Sequence, residues 1–361
     1  APIAVRWVDI NKGDSANPNY RSRLVAKEFN TGVMPELYAA TPPSECLRLM
    51  LSMTASGKKQ NIGLMYADVS RAYFYAKAVR PVYVKLPTED TESGDSGKCG
   101  KLKMSMYGTR DAALNWSLEY AETLRAGGYV QGKSNPCLFH NVKLGVSVMV
   151  HGDDFVAVGP RQHLVETRST LESKYKLKVE TLGNEKCDSS ELRILNKVVR
   201  ATPIGIELEA DPRHAELVVK ELNLENAKPS SVPGSKESSS AEPPKTSAAA
   251  VSRHTRARIA VEDELSSIES ATKSAGTDQW DDPQEEIGVK DDESEEELDA
   301  AGAKLYRSVA ARLNYLSPDR ADIGYAVKEA ARNMSAPKMS DLRRLRKIGK
   351  YLLGRPRLVS L

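Results

Sequence analysis

The chain has 361 residues and a mass of 39.6 kDa, enough for roughly two or three modules and a sizeable buried core rather than one small stapled domain. Hydrophobic residues make up 40% and charged residues 28% at a mean hydropathy of −0.46, and the longest apolar stretch, residues 146–150, excludes a membrane-spanning helix. The formal charge of +3 hides an asymmetry: residues 278–299 hold 12 acids and one base, a local net of −11 that leaves +14 elsewhere and favours a polyanionic partner.

Cys46, Cys99, Cys137 and Cys187 are far apart and form no Cys-x-x-Cys pair, which disfavours a zinc module and a disulfide framework and fits a reducing compartment. The first nine residues lack a basic flank followed by an apolar run, so nothing marks a secretory signal, and there is no initiator Met. The chain therefore reads as part of something longer.

Taken in order, Thr41 and Pro42 resemble an N-cap and N1 pair, followed by a helix whose buried stripe is Leu47, Met50, Leu51 and Thr54. Residues 62–68, Ile-Gly-Leu-Met-Tyr-Ala-Asp, read as a buried strand ending in Asp68, where an unpaired carboxylate is expensive. Asp is also a favoured N-cap, so a helix beginning at Val69 is a second reading, and one residue can serve both. Ala113, Trp116, Tyr120 and Leu124 form another helical stripe before the stop at Gly127-Gly128. Cys137 and His140 have half of a metal-site spacing with no second pair, and are read as unligated.

Residues 146–159, Val-Ser-Val-Met-Val-His-Gly-Asp-Asp-Phe-Val-Ala-Val-Gly, read as a β-hairpin with two adjacent carboxylates at its tip. Gly-Asp-Asp alone is a plain turn by default. The strong flanking strands raise the odds of a site, because two anions side by side in a packed sheet cost energy unless cations offset them. Asp68, Asp153 and Asp154 at neighbouring strand ends would make a site for two hard cations about 3.5–4 Å apart, with magnesium the natural occupant.

Beyond residue 228 the composition changes. Residues 229–257 are dominated by Ser, Pro, Ala and Lys, and 258–303 run into the acidic tract, so 229–303 is expected to be a disordered, solvated linker. Order resumes at 304–361: Ile323, Val327, Ala330 and Met334 mark an amphipathic helix ending before Pro337. Residues 340–353 form a second helix, with Leu345, Ile348 and Leu352 on one face and Arg343, Arg344, Arg346, Lys347 and Lys350 as its charge. That helix is read either as a phosphate contact or as an ordinary solvated surface.

These residues resemble the reverse transcriptase region of a Ty1/copia-type long-terminal-repeat retrotransposon Pol polyprotein. The resemblance rests on five ordered blocks: Tyr20-Arg-Ser-Arg-Leu-Val-Ala-Lys-Glu-Phe29, Ala40-Thr-Pro-Pro-Ser-Glu45, Asp68-Val-Ser-Arg-Ala-Tyr-Phe74, Leu102-Lys-Met-Ser-Met-Tyr-Gly108 with Asn115-Trp116, and His151-Gly-Asp-Asp-Phe155. Further on, Tyr306-Arg-Ser-Val-Ala-Ala-Arg-Leu-Asn-Tyr-Leu316, Arg320-Ala-Asp-Ile323 and Met334-Ser-Ala-Pro337 resemble the segment between the polymerase and RNase H of such polyproteins.

The resemblance implies an α+β right-hand polymerase fold, with an antiparallel palm sheet, fingers and thumb. Residues 1–228 would supply fingers, palm and the start of the thumb, and residues 304–361 a helical connection before a missing RNase H domain. Asp68 then matches the first palm carboxylate and Asp153 and Asp154 the paired ones, with Asp154 in support and the carbonyl of Val69 completing a shell of two Mg2+ ions, Mn2+ being the alternative. Tyr73 matches the position that excludes a ribose 2′-hydroxyl, its other reading being core packing. A period-2 reading puts Arg21, Arg23 and Lys27 on one finger face suited to a triphosphate, or leaves them an ordinary solvated face.

Arg110 lies where family members contact the templating base and nucleotide, although Thr109-Arg110-Asp111 departs from the commoner Leu-Lys-Gln. His151 and Gly152 replace the Tyr and Val that often precede the two aspartates. Leu164, Leu171 and Tyr175 mark a palm helix, and residues 182–224 the end of the palm and the thumb.

The implied function is RNA-directed DNA polymerisation by two-metal nucleotidyl transfer, with a primed RNA or DNA template and deoxynucleotide triphosphates as partners. No membrane is implied; integrase and RNase H portions of a Pol polyprotein are, in an intracellular setting, cytoplasmic particle or nucleus. The alternative is an inactive or co-opted fragment that binds nucleic acid without polymerising.

Overall fold

The computed structural model describes residues 1–234 and 296–360, apart from 15, 30, 31, 33–36, 58, 59, 93, 94 and 96. These residues fall into two compact units, Ala1–Leu208 with Ser360–Leu361, and Glu209–Val359. No described helix is long and apolar enough to cross a membrane.

The first unit opens with an antiparallel hairpin, β1 (Val5–Asn11) and β2 (Tyr20–Ala26), and continues through α1 (Ser44–Ser56) into β3 (Ile62–Val69). A 3-10 turn (Ala72–Tyr75) leads to a small antiparallel pair, β4 (Tyr83–Lys85) and β5 (Cys99–Lys101), and then to α2 (Ala112–Ala126). There follow β6 (Val130–Gln131), β7 (Leu138–Asn141), β8 (Val146–His151), β9 (Asp154–Pro160), α3 (Arg161–Glu172) and β10 (Leu177–Leu182). Three further strands are β11 (Glu191–Ile194), β12 (Lys197–Ala201) and β13 (Ile206–Glu209).

A six-stranded sheet in the order β10-β3-β9-β8-β7-β6 organises this unit, and every neighbouring pair in it is antiparallel. Its central strands are buried on both faces, which explains why β9 reads as a continuous apolar run rather than an alternation. On one face Ala67, Val69, Val150 and Phe155 pack with Trp116, Tyr120 and Leu124 of α2 and Leu164 and Leu171 of α3. On the other, Leu64, Val156 and Val158 pack with Leu47, Met50 and Leu51 of α1 and with Leu192 and Ile194 of β11. Thr41 is not the cap of α1: the helix starts at Ser44 with Pro43 at the N-cap and no side-chain capping bond.

The β1–β2 hairpin is joined to the rest of its unit at Tyr107 and Gly108. The Ala26 amide donates to the Tyr107 carbonyl at 2.8 Å and the Glu28 amide to the Gly108 carbonyl at 3.3 Å. Gly108 has φ +84°, and a Cβ there would lie 2.0 Å from the Ala26 oxygen, so only glycine allows the two backbones to approach.

The second unit is helical: α4 (Pro212–Glu221), α5 (Ala300–Leu316), α6 (Gly324–Arg332) and α7 (Met339–Gly354). Val218 and Leu222 share one core with Tyr306, Val309, Leu313, Ile323, Val327, Leu345, Ile348 and Leu352. The units therefore divide at Leu208/Glu209, whereas composition alone put the first boundary at 228. Of the expected linker, residues 235–295 lie outside the described residues. Its far edge is helical earlier than composition indicates, because Asp299 caps α5 by accepting from the Gly302 amide at 2.7 Å.

Gly108→Ala is expected to lower unfolding free energy by about 2 kcal/mol or more, combining a left-handed backbone with a backbone collision. Urea denaturation measures it, and an unchanged midpoint contradicts the close approach.

Candidate active site

Two strand ends and one turn build the site. His151, the last residue of β8, pairs with Asp154, the first of β9, leaving Gly152 and Asp153 as a two-residue loop. Gly152 has φ +61° while Asp153 is not in the positive-φ region, the pattern of a type II′ turn with glycine at its first central position. Both loop carbonyls are held: the buried Trp116 donates its indole N–H to the Gly152 oxygen at 2.7 Å, and the Val69 amide donates to the Asp153 oxygen at 2.9 Å. The turn is thus pinned to α2 on one side and to the end of β3 on the other.

That second bond fixes the register in which Asp68 stands opposite Asp154. Directly paired residues project to the same face, so the two carboxylates share one side of the sheet, with Tyr66 two residues back on that side. The Tyr66 hydroxyl donates to Asp154 Oδ1 at 2.5 Å. Asp153 is exposed at the tip.

The corner is anionic beyond its cations. Burial, then the charge of Asp153, holds the Asp68 carboxyl above its ordinary range, only partly offset by Lys178, Lys12 and Arg21. Burial likewise raises Asp154; the Tyr66 hydrogen bond lowers it, and Asp153 and Asp68 raise it again. Burial and Asp154 push the Tyr66 hydroxyl strongly upward. Hard divalent cations take carboxylate oxygens, and an under-compensated pair of carboxylates is the donor set that suits one.

Backbone pairing brings Asp68, Asp153 and Asp154 to one corner of the sheet without drawing their side chains into one close cluster. Among the described residues no three Asp, Glu, His or Cys side chains are grouped closely enough to hold a metal ion. Three anions in a half-buried corner repel one another, and Asp154 is satisfied by Tyr66 instead. The helix-capping reading of Asp68 fails: β3 runs on through Val69, and the 3-10 turn starts at Ala72 with Arg71, φ +59°, at its N-cap.

Tyr73 lies in that 3-10 turn, half-buried against the α2 core, its ring 4.6 Å from that of Tyr107. Arg23 sits over the other partner of this stack, 5.8 Å from the Tyr107 centroid. The charge of Asp153 reaches both rings, after burial, in raising their hydroxyl pKa values. Arg21 and Arg23 project from one face of β2, and Arg21 bears on Asp68. Lys27 is not in that array; it follows β2, is exposed, and its amide donates to the Ala4 carbonyl.

Arg110 is engaged elsewhere. Its guanidinium donates to the Gly32 carbonyl at 3.0 Å, and its amide donates to Glu28 Oε2 at 2.8 Å. Glu28 also accepts from Arg80 at 2.5 Å, and Arg80 donates to Asp111 at 3.0 Å. Burial alone would raise the Glu28 and Asp111 carboxyls, but these hydrogen bonds outweigh it and leave both below their ordinary values.

Sequence reasoning missed Tyr66, Tyr107, Lys12 and Lys178. Tyr66 was readable, since residues two apart on a strand share a face. Lys178 was not, because it reaches Asp68 only through the β10–β3 pairing, across more than a hundred residues of chain.

The chain belongs to the reverse transcriptase (RNA-dependent DNA polymerase) family, whose model matches residues 1–236. Copia-type Pol polyproteins are among its relatives, which bears out the Ty1/copia resemblance. It is 24% identical over 242 residues to the retrovirus-related Pol polyprotein from transposon TNT 1-94 of Nicotiana tabacum, covering 64% of this chain and 17% of that protein. Over 363 residues it is 24% and 22% identical to those from transposons RE1 and RE2 of Arabidopsis thaliana, covering 98% of this chain and 20% of each. The chain thus spans 17–20% of the length of these polyproteins.

Among solved structures it is similar to an apo telomerase from Candida tropicalis truncated from its C-terminal domain, with 8% identity, 57% of this chain and 55% of that chain covered, and a TM-score of 0.30. It is also similar to a telomerase from Candida albicans in complex with a TWJ fragment of telomeric RNA, with 10% identity, 89% and 61% covered, and a TM-score of 0.32. Likeness at this level carries no argument.

Carboxyls held below their ordinary pKa stabilise the fold above that value, and the stabilisation is lost as pH falls through the folded value. Arg80→Met is therefore expected to lower the thermal midpoint at neutral pH and to flatten its decline between about pH 5 and pH 3. A variant with the parent's acid profile contradicts the Glu28–Arg80–Asp111 network.

Proposed function

We propose that the chain is the RNA-directed DNA polymerase module of a copia-like Pol polyprotein. It would extend a primer 3′-hydroxyl with deoxynucleotide triphosphates on an RNA or DNA template. The observation that carries this reading is the register that sets Asp68 opposite Asp154 and beside the turn bearing Asp153, in a chain of the reverse transcriptase family. In this reading the six-stranded sheet is the palm, the β1–β2 hairpin belongs to the fingers, and the helical unit supplies thumb and connection.

Asp68 and Asp153 would hold Mg2+, or Mn2+, with Asp154 and the Val69 carbonyl in support; two such ions would acidify the primer hydroxyl and neutralise charge on the triphosphate and its leaving group. The chain's own groups then have separate tasks. Arg21 and Arg23 present cations from one face of β2 toward the carboxylate corner, where a triphosphate brings anionic charge. Lys12, which bears on Asp68 as well, joins them in this role. Tyr73, backed by Tyr107, stands as a wall against a 2′-hydroxyl and selects the deoxy sugar by collision. Tyr66 keeps Asp154 oriented through its hydroxyl. Lys27 and Arg110 have support from the family position alone.

Primer extension on an RNA template with labelled deoxynucleotide tests the reading. The parent is expected to give magnesium-dependent product, and Asp153→Asn to lower the rate by about 100-fold or more, since metal-held charge contributes several kcal/mol. Duplex binding without any extension by the parent favours the co-opted fragment instead. Tyr73→Ala is expected to raise ribonucleotide incorporation by about tenfold or more relative to deoxynucleotide, about 1.4 kcal/mol of discrimination. Unchanged discrimination in an active Tyr73→Ala enzyme rejects the steric wall.

A further inference from the structure

The side chain of Tyr107 belongs to none of the apolar cores of the described residues, yet its ring has three partners. The Tyr73 ring lies 4.6 Å away between centroids, tilted by 37°, and the Phe74 ring 5.7 Å away, edge to face at 88°. The guanidinium of Arg23 stands 5.8 Å from the same centroid. Among the described residues that guanidinium has no ion pair or hydrogen bond, so the Tyr107 ring is what holds it. The charge of Asp153 bears on both tyrosine hydroxyls and that of Asp68 on Tyr107, which puts the group beside the carboxylate corner.

Packing for its own sake does not explain this placement. Phe74 is 42% exposed, Arg23 is exposed and Tyr107 is half-buried, so the cluster stands open to solvent where a core ring would be enclosed. The backbone aims the ring instead. The Ala26 amide donates to the Tyr107 carbonyl, and the next residue, Gly108, has the left-handed φ that lets the two backbones meet. Tyr107 is thus fixed to the end of β2 through its backbone and to Arg23 of the same strand through its ring.

We infer that Tyr107 is a positioning residue that determines sugar specificity, its ring holding Tyr73 and Arg23 at one spacing so that phosphate capture and rejection of a 2′-hydroxyl act on the same nucleotide. The ligand, a deoxynucleotide triphosphate, rests on the polymerase reading above. In such a ligand sugar and phosphates are covalently joined, so their separation is bounded. A wall discriminates only if the sugar is pressed to it, and phosphates seated on Arg23 supply that constraint. Wall and cation mounted separately would let a ribonucleotide draw back from Tyr73 while keeping its phosphate contacts. One aromatic ring can serve both, because a ring neighbour and a guanidinium each take an aromatic partner without a hydrogen bond.

Equilibrium binding tests this with the full chain, magnesium and an RNA template presenting uracil, its annealed primer ending in a dideoxynucleotide so that no turnover occurs. The probes are dATP and ATP, and the parent should prefer dATP. Tyr107→Leu is expected to weaken dATP binding and to lower its preference over ATP, each about three- to tenfold. Tyr107→Phe should keep both, because the ring and not the hydroxyl makes the contacts. In a Tyr73→Ala chain, adding Tyr107→Leu should weaken dATP but lower the preference no further, a selective non-additivity that loss of fold would not produce. Arg23→Gln leaves all three rings in place and should weaken dATP and lower the preference about threefold, which reads the same coupling should Tyr107→Leu unfold. A preference unchanged by Tyr107→Leu or by Arg23→Gln overturns the inference, as does a Tyr107→Phe loss equal to that of Tyr107→Leu. A parent without sugar preference overturns it as well. A parent whose preference depends on Tyr107 but which extends no unblocked primer upholds the inference and contradicts the polymerase reading alone.

Discussion

The amide of Val69 donating to the carbonyl of Asp153 is the bond on which the site depends. It sets the end of β3 against the turn between β8 and β9, and so places Asp68 opposite Asp154 and beside Asp153. A slip of one residue in that pairing would turn Asp68 to the opposite face, into the core of Val69 and Phe155. Burying that carboxylate unpaired among apolar side chains is the cost that opposes the slip. Core packing therefore fixes where negative charge collects, and the charge is a consequence the fold must tolerate.

Tolerance is expensive, and the surroundings show how it is managed. Trp116 and Val69 satisfy the loop carbonyls, Gly152 adopts the left-handed conformation without strain, and Tyr66 takes up one carboxylate. Lys178 is already engaged with Glu180, so its help to Asp68 is divided. What is left is Asp68 and Asp153 with cations nearby but none in an ion pair with them among the described residues. An anionic pair of this kind is where a divalent cation and a triphosphate would contribute most.

Much of this was legible in the amino-acid sequence. The flanks of Gly-Asp-Asp announced a hairpin, the apolar run before Asp68 announced a buried strand, and the stripes around Leu47, Trp116 and Leu345 announced their helices. Local pattern could not rank the two readings of Asp68, because strand end and N-cap share the residue type; tertiary pairing of β3 with β9 and β10 decided it. Nor could pattern show that Asp154 is held by Tyr66, or that Arg110 is spent on Gly32 and Glu28, since these contacts join segments about eighty residues apart. Residues 209–228 read as an extension of the preceding domain because composition is uniform there; only the packing of Val218 and Leu222 assigns them to the helical unit.

The central claim is that Asp68 and Asp153 form an under-compensated pair awaiting divalent charge. Thermal unfolding of the parent and of Asp68→Asn, each with and without magnesium and without any nucleic acid, tests it most directly. Because the folded protein raises the Asp68 pKa, the ionised side chain costs stability above that pKa, so the account predicts a higher midpoint for Asp68→Asn in chelator. Magnesium should raise the parent's midpoint and leave that of Asp68→Asn nearly unmoved. A variant less stable than the parent in chelator, or equally stabilised by magnesium, would contradict the account.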